Sequence, residues 1–154
     1  MPLFTSKIEY ALRAVVDLAS HPTNGAIQSR EIATRQGIPE SYLDQLLSAL
    51  RRAGLVRSTR GAAGGYTLGK APHLITVGEV IRALDGAQLT ADFAPARAPG
   101  APPPRGDRAT AAAVTCVRQR VQEAVREVIE GTTIRDLVAE KQRLDDTQSL
   151  MAGI

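Results

Sequence analysis

Residues 38 to 68, IPESYLDQLLSALRRAGLVRSTRGAAGGYTL, contain the pattern that decides the fold of this chain. Leucines recur at i, i+3, i+4 and i+7 from Leu43 to Leu50, and a glycine ends this helical stripe. Two short runs, Leu55 to Ser58 and Tyr66 to Leu68, flank a loop of small residues headed by Arg60. The stretch therefore predicts one amphipathic helix followed by a β-hairpin with a basic, glycine-rich tip.

A second, shorter helix is predicted just before the leucine stripe, from about Ser29 to Gly37, with Ile32 and Ala33 facing inward. The turn between the two helices, from Gly37 to Glu40, is very short. Two helices joined in this way form a helix-turn-helix, whose second helix enters the major groove of DNA. With the hairpin as a wing, the residues predict a winged helix-turn-helix and double-stranded DNA as the partner.

The polar side of the second helix supplies side chains that can reach base edges and phosphates, and Arg60 supplies the charge that a minor groove attracts. Two other interpretations exist. The helix face could be an ordinary solvated surface, and the glycine-rich loop could hold a nucleotide phosphate, although no helix start with a Lys-Ser/Thr pair follows it. The polar residues beside the leucine stripe are Ser41, Tyr42, Asp44, Gln45, Ser48, Arg51 and Arg52.

The charge of the chain is unevenly placed along its 154 residues, which carry a net charge of +3. Residues 1–70 hold nine Lys/Arg and five Asp/Glu, hence +4, whereas residues 71–154 hold ten and eleven, hence −1. A basic front half beside a nearly neutral back half suits a phosphate-binding domain attached to a segment that binds protein. An ordinary solvated surface would also allow this distribution.

Several function classes have no support in the sequence. It has no apolar run long enough to span a bilayer and no signal-peptide pattern, so we expect a cytoplasmic protein without a membrane partner. One cysteine and two distant histidines, His21 and His73, match no metal-ligand spacing. We find no phosphate loop, nucleophile elbow or catalytic carboxylate pair, and we therefore expect that the chain is not an enzyme.

The chain divides into four predicted segments. Residues 1–85 form the winged helix-turn-helix domain, and residues 86–106 form a flexible loop, because five of these 21 residues are proline and three are glycine. Residues 107–144 form a long helix and a last short helix, and residues 145–154 form a frayed tail. Capping-box spacing marks three helix starts at Ser6/Glu9, Thr76/Glu79 and Thr133/Asp136.

The long helix carries apolar residues that step alternately by three and four, which is the pattern of a coiled-coil seam about two heptads long. This stripe could pack on its own domain. Its separation from that domain by a loose loop favours pairing with a second chain, so the segment is predicted to be a dimerisation helix. The predicted dimerisation residues are Val114, Val117, Val121, Ala124 and Val128, which we call the seam.

Four segments, TSKIEYALRAVVDLA, SYLDQLLSALRRAGLVRSTRG, GGYTL and ITVGEVIRALDG, together resemble the Rrf2 family of bacterial transcription regulators. The resemblance is strong over residues 3–86 and weaker in the later helices. It implies a mostly α fold with a small β-hairpin wing, and a homodimer on a pseudo-palindromic operator, acting as a repressor. A metabolite or a partner enzyme would control it. The alternative is a winged-helix protein-interaction module, or a regulator controlled by a partner enzyme and having little intrinsic DNA specificity.

The resemblance also implies roles for individual residues. Thr5, Ser6 and Lys7 would grip phosphates, and Asp44 stands where a cluster-binding member has a glutamate that can accept from a cytosine amine. The shorter Asp44 side chain leaves that base preference open. The candidate DNA-binding residues are Thr5, Ser6, Lys7, Arg30, Ser41, Tyr42, Asp44, Gln45, Ser48, Arg51, Arg60, Gly61 and Tyr66.

Cys116 is where this sequence departs from the family pattern. Cluster-binding members carry three cysteines in the loop and at the start of the long helix, whereas this chain keeps Cys116 alone and has Gln119 where a histidine ligand is found. A [2Fe–2S] cluster requires four ligands, so we expect no cofactor and no metal. Cys116 is then a redox-sensing thiol beside Arg118 and Arg120, a small residue packed at the helix start, or a remnant of the family's cysteine set.

Overall fold

The structure, a computed structural model, describes residues 4–21, 25–85, 100, 102 and 105–153. These residues are mostly helical with one two-stranded antiparallel hairpin, as the sequence predicts. None of the helices among them has the length and apolar character needed to span a membrane. The elements are α1 (Ser6–Ser20), α2 (Ser29–Gln36), α3 (Glu40–Arg52), β1 (Val56–Thr59), β2 (Gly65–Leu68), a 3-10 turn (Pro72–Leu74), α4 (Val77–Asp85), α5 (Arg108–Gly131) and α6 (Ile134–Ala152).

Helix α1 lies at the centre of the winged domain and contacts α2, α3, α4, β2 and α6. Its Ala11, Ala14 and Val15 side chains are fully buried, and small residues at these positions allow neighbouring helices to approach closely. The leucine stripe of α3 is also buried, which confirms the predicted core face. The buried core members on α1, α3 and α4 are Ile8, Ala11, Leu12, Ala14, Val15, Leu18, Leu43, Leu47, Leu50, Val77, Val80 and Ile81.

The C-terminal end of α5 is fastened to α4 by backbone and side-chain contacts. Thr76 and Thr133 form an isolated antiparallel bridge, in which the Val77 amide donates to the Thr132 carbonyl at 2.9 Å. Arg82 of α4 pairs with Glu130 of α5. Ile129 is the buried residue of α5, and the half-buried Val125 also packs against the core, whereas most of this 24-residue helix toward its N-terminus is exposed.

Two predicted capping boxes are confirmed and the third is wrong. Reciprocal hydrogen bonds join Thr76 to Glu79, and Thr133 to Asp136. At the first helix the cap is Thr5, whose hydroxyl accepts from the Ile8 amide at 3.4 Å, one residue earlier than the predicted Ser6/Glu9 pair. The N-cap hydroxyl must precede the helix, and Ser6 is already its first residue.

The last helix is longer than predicted, and the frayed tail expected from residue 145 is wrong up to Ala152, where α6 ends. Side-chain pairs one turn apart support the extra turns: Lys141 contacts Asp145 at 2.7 Å, and Gln142 donates to Asp146 at 3.0 Å. The predicted flexible loop, residues 86–106, lies outside the described residues except for positions 100, 102, 105 and 106.

One charged side chain, Asp17 on α1, is buried within this core. Its carboxylate accepts from Arg35 Nε at 2.9 Å and Nη2 at 2.7 Å, and from Gln36 Nε2 at 2.9 Å. Burial alone raises its pKa, but these hydrogen bonds and the Arg35 charge outweigh burial, so the pKa of Asp17 lies below its ordinary value. The carboxylate is therefore held in its charged form by residues at the end of α2.

Asp17→Asn is predicted to make the free energy of unfolding depend less steeply on pH in the acid range. Because the folded-state pKa is the lower one, the stabilisation is fully present above the unfolded-state pKa, about 4, and is lost as pH falls through the folded-state pKa. Urea unfolding midpoints measured from neutral pH down to about pH 2 should therefore converge for parent and variant. Gln36→Ala is the control, since it keeps the carboxylate and Arg35 and should retain the steep acid limb. A gap between parent and Asp17→Asn that stays constant would contradict this.

Candidate nucleic-acid interface

Helix α3 separates its side chains into a core face and an opposite face open to solvent. Leu43, Leu46, Leu47 and Leu50 point into the core, and the helical repeat of 3.6 residues places a second set on the other side. Of that set, Ser41, Asp44, Gln45 and Arg52 are exposed and Ser48 is half-buried. We call these five residues the reading face, namely Ser41, Asp44, Gln45, Ser48 and Arg52.

The wing is a short hairpin with its tip open to solvent. Strands β1 and β2 pair from Val56 with Leu68 to Thr59 with Gly65, and Arg60 and Gly61 are exposed between them. Strand β2 is fastened close to the wing tip to the segment before α2, because the Ile27 amide donates to the Tyr66 carbonyl at 2.9 Å and the Tyr66 amide donates back to the Ile27 carbonyl at 2.7 Å. The wing is thus held beside the helix-turn-helix.

A basic cleft of about 580 Å³ lies between the start of α2, the end of α3 and the wing. Three arginines line it, Arg30, Arg51 and Arg60, together with one carboxylate, Glu40, which lies 3.9 Å from Arg30 Nε. Arg51 Nη1 donates to the Ser58 hydroxyl at 3.3 Å, which ties α3 to β1. The cleft is lined by Gln28, Ser29, Arg30, Glu40, Arg51, Ser58, Thr59, Arg60, Gly61, Gly64, Gly65 and Tyr66.

The structure therefore brings part of the predicted DNA-binding set together in one place. Arg30, Arg51, Arg60, Gly61 and Tyr66 line the basic cleft. The charge there is positive, because its three guanidinium groups outnumber its one carboxylate, and backbone at Gly61 and Gly64 leaves the wing free of bulky side chains. Such a surface is complementary to a phosphate backbone.

Four other predicted residues lie elsewhere. Tyr42 is half-buried, and its ring packs edge-to-face on Tyr10 of α1 with centroids 5.9 Å apart. Lys7 turns toward α4, where its Nζ lies 3.3 Å from both the Leu84 carbonyl and Asp85 Oδ1. Neither Lys7 nor its neighbours Thr5 and Ser6 line the basic cleft. Their proposed phosphate contacts would have to form outside it.

Sequence reasoning placed Arg52 on the polar side of α3 but left it out of the candidate DNA-binding residues, and it missed several residues that line the cleft. Gln28 and Ser29 start α2, where the N-cap Gln28 makes no side-chain capping bond. Ser58 and Thr59 end β1 beside the exposed Arg60, and both line the cleft. Neighbouring residues of a strand point to opposite sides, so the sequence carried no clear signal that both would lie there. Arg52 shares the reading face by helical spacing, as its position four residues after Ser48 already indicated.

Cys116 is exposed on α5. Within one chain it is therefore not packed against other residues, so the prediction of a packed small residue is wrong. As the only cysteine of the chain it supplies one thiolate, whereas a [2Fe–2S] cluster needs four ligands. Across the described residues, no group of three His, Cys, Asp or Glu side chains is placed to share a metal ion. The donor set of this chain does not fit an iron–sulfur cluster.

The seam residues of α5 are exposed along the helix. The valines retain large accessible fractions, with Val114 at 62%, Val117 at 59%, Val121 at 42% and Val128 at 65%. Ala124 is exposed as well. The alternative in which this stripe packs on its own domain therefore does not hold among the described residues.

The family model of Rrf2, an iron-dependent transcriptional regulator, matches residues 4–140. This chain belongs to the Rrf2 family. The HTH-type transcriptional regulator CymR of Bacillus subtilis is 35% identical over 139 residues, which cover 88% of each chain. IscR of Erwinia tasmaniensis is 53% identical over 81 residues, covering 53% of this chain and 49% of that regulator.

Solved structures of relatives match the fold as well. The structure of B. subtilis CymR, the global cysteine regulator, is 36% identical, covers 91% of this chain and 98% of that chain, and has a TM-score of 0.73. The oxidized form of Staphylococcus aureus CymR is 33% identical and has a TM-score of 0.68, and the match covers 90% of this chain and 96% of that chain. Like these Rrf2 proteins, the chain is a winged-helix, DNA-binding transcriptional regulator, which is not a class of enzymes.

Gly65→Ala is predicted to destabilise the wing. Gly65 has φ +146°, and a Cβ atom there would lie 2.4 Å from the Ile27 carbonyl oxygen, which is backbone and cannot rotate away. The strain should lower the free energy of unfolding by about 1–3 kcal/mol and speed amide exchange at Ile27 and Tyr66. Gly131→Ala is the control, because no atom lies within 4 Å of its Cβ position. Unchanged exchange in Gly65→Ala would refute the proposed anchoring of the wing.

Proposed function

We propose that this chain is a dimeric, sequence-specific repressor that reads bases with α3 and inserts the wing arginine into the minor groove. The observation that carries the proposal is the basic cleft, in which arginines from α2, α3 and the wing converge beside the reading face. We place this activity in the cytoplasm, where a bacterial regulator meets its DNA. Iron–sulfur chemistry takes no part, since the donor set does not fit a cluster.

The proposed division of roles follows from the chemistry of each group. Asp44 and Gln45 on the reading face supply an acceptor for a cytosine amine and a two-sided partner for adenine. Arg51 and Arg30 lie farther toward the wing, where they would hold phosphates and fix the register. Arg60 heads a wing tip of glycine and alanine, which is narrow enough for a minor groove and carries the positive charge that a narrow groove attracts.

A homodimer is supported by the unpartnered seam. Helix α5 has 24 residues and is therefore about 36 Å long, yet Ile129 is its one buried residue. Pairing two seams would remove Val114, Val117, Val121 and Val128 from water in each chain. A twofold axis between two reading faces would require a pseudo-palindromic operator, with half-sites about one helical turn, roughly 34 Å, apart.

Control of the repressor is proposed to act on the part of the chain beyond the winged domain. A partner enzyme or a metabolite is one form of this proposal, supported by the likeness to the cysteine regulator of B. subtilis. Oxidation of the exposed Cys116 is the other form, supported by the oxidized form described for the S. aureus relative. Both leave the reading face itself unmodified.

Arg60→Ala is predicted to weaken binding to the preferred duplex by about 1–3 kcal/mol, because it removes a minor-groove contact. The probe is the highest-affinity duplex recovered by in vitro selection with the parent protein, measured by fluorescence anisotropy. Arg135→Ala is the control, since it makes the same charge change at an exposed position of α6. Parent-like binding by Arg60→Ala would show that the wing assignment is wrong.

A salt titration of the parent on the same duplex tests the class of function. The logarithm of the affinity should fall with the logarithm of salt concentration by about 0.9 for each phosphate neutralised. If the parent shows no preferred duplex and no such slope, the protein-interaction module is the correct interpretation.

Val121→Glu is predicted to convert the dimer to a monomer. Two glutamates would face each other across the twofold axis of the seam, and such like-charge contacts cost several kcal/mol, which raises the dimer Kd by at least roughly a hundredfold. Sedimentation velocity over a concentration series measures this change. Gln119→Glu is the control, because helical spacing places it on the opposite side of α5. Dissociation by both variants, or by neither, would contradict the proposed seam.

A further inference from the structure

Helix α2 is held by little apolar packing. It has eight residues, of which Ile32 and Ala33 are buried. A helix this short is not stable by itself, so its position must be set by contacts with the rest of the domain. Two buried apolar side chains limit how far it can shift, but they do not fix its direction as hydrogen bonds do.

Directional contacts are concentrated at the C-terminal end of α2. There the buried Asp17 carboxylate receives two parallel hydrogen bonds from Arg35 and a third from Gln36. Arg13, also on α1, donates to the Gln36 carbonyl at 3.4 Å. A two-pronged guanidinium–carboxylate pair fixes orientation as well as distance, because both bonds must stay in one plane.

This group of contacts lies immediately before the turn that leads into α3. Gly37 follows Gln36 in the left-handed conformation at φ 65°, Ile38 is 4% exposed, and α3 begins at Glu40. The Ile38 amide donates to the Ala33 carbonyl at 3.0 Å, which closes the turn onto α2. A shift of the end of α2 would therefore be passed on to the N-terminal turn of α3, where Ser41 and Asp44 lie.

We propose that Asp17, Arg35 and Gln36 form a positioning clamp that sets how α3 lies in the major groove, and so controls discrimination between DNA sequences without touching DNA. Asp17 is 1% exposed and cannot reach a nucleic acid. The clamp instead connects α1, the centre of the core, to the turn of the helix-turn-helix. This inference rests on the proposed role of α3 as the element that reads bases.

A purely stabilising role is the competing explanation, and it makes a different prediction. Replacing a buried ion pair changes stability in either direction, so a shifted unfolding midpoint would not distinguish the two. A stabilising pair, once the protein is folded, leaves the ratio of affinities for two DNA sequences unchanged. A positioning pair changes that ratio, because a displaced α3 loses base contacts while phosphate contacts adjust.

The test uses the full chain and two duplexes of equal length and base composition, the in vitro selected sequence and a scrambled one. Arg35→Lys is the main variant, since it keeps the charge and removes the two-pronged geometry. We expect its ratio of affinities, selected over scrambled, to fall about tenfold, the effect of one lost base contact. Binding to the scrambled duplex should stay within about twofold, because the charge is conserved. Arg143→Lys is the matched control, since Arg143 makes a two-pronged pair with Glu140 on α6.

Asp17→Asn supplies a second readout, because a stabilising role leaves the ratio of affinities unchanged whereas the clamp lowers it. The variant raises the net charge by one, so electrostatics alone would strengthen binding to both duplexes. The clamp instead predicts stronger scrambled binding together with a lower ratio. Amide exchange should speed up over residues 36–45 and stay unchanged over α5. If Asp17→Asn does not fold, Arg35→Lys still decides, because lysine keeps the positive charge and the Arg35 side chain is 34% exposed.

The outcomes separate this inference from the proposed function. A parent that binds both duplexes equally would overturn the proposed function. A parent that discriminates, together with Arg35→Lys and Gln36→Ala variants whose ratios stay within about twofold of the parent, would overturn the clamp alone. The clamp is supported if the ratio of affinities, selected over scrambled, falls in Arg35→Lys and is unchanged in Arg143→Lys.

Discussion

The winged domain depends on burying one helix, α1, on several sides at once. Ala11, Ala14 and Val15 are fully buried, and their small volume lets helices from both sides of the domain approach α1 together. The same helix carries Asp17, whose charge is tolerated inside the core because donors at the end of α2 surround it. Apolar packing and the hydrogen bonds of Asp17 thus both involve α1, and the two helices of the helix-turn-helix pack against it.

Helices α5 and α6, unlike α1, leave apolar side chains exposed. The seam valines of α5 stay exposed, as do Leu144, Leu150 and Met151 near the end of α6. A soluble chain seldom leaves such periodic apolar surface open unless a second chain covers it. The Thr76–Thr133 bridge and the Arg82–Glu130 pair join α5 to α4, and α4 packs on α3. A continuous path of contacts therefore leads from the proposed dimer contact to the proposed reading face.

Local patterns in the sequence predicted the elements well, because each depends on residues close together in the chain. The leucine period predicted α3 and its core face, and the glycine-rich tip predicted the wing. Contacts between distant residues were not predictable in this way. Nothing near Asp17 indicates that Arg35 is its partner, and nothing near Tyr42 indicates that Tyr10 covers its ring. The full length of α6 was a missed local signal, since its Lys141–Asp145 spacing is a helix-stabilising pattern.

Because the residues of this chain do not fit an iron–sulfur cluster, a regulatory signal has to act by another route. Cys116 lies in the part of α5 that extends from the winged domain, far along the helix from the buried Ile129. Cys116 does not line the basic cleft, so we propose that a chemical change or a bound partner there acts through the position of α5 as a whole. In a dimer, a change in how two α5 helices cross alters the distance between the two reading faces. DNA offers half-sites at fixed multiples of its helical repeat, so a small change in that distance is enough to weaken one operator relative to non-specific sites. Spacing between two intact DNA-binding faces is thus the route of control that we propose for a dimer of this chain, and it requires no metal at either face.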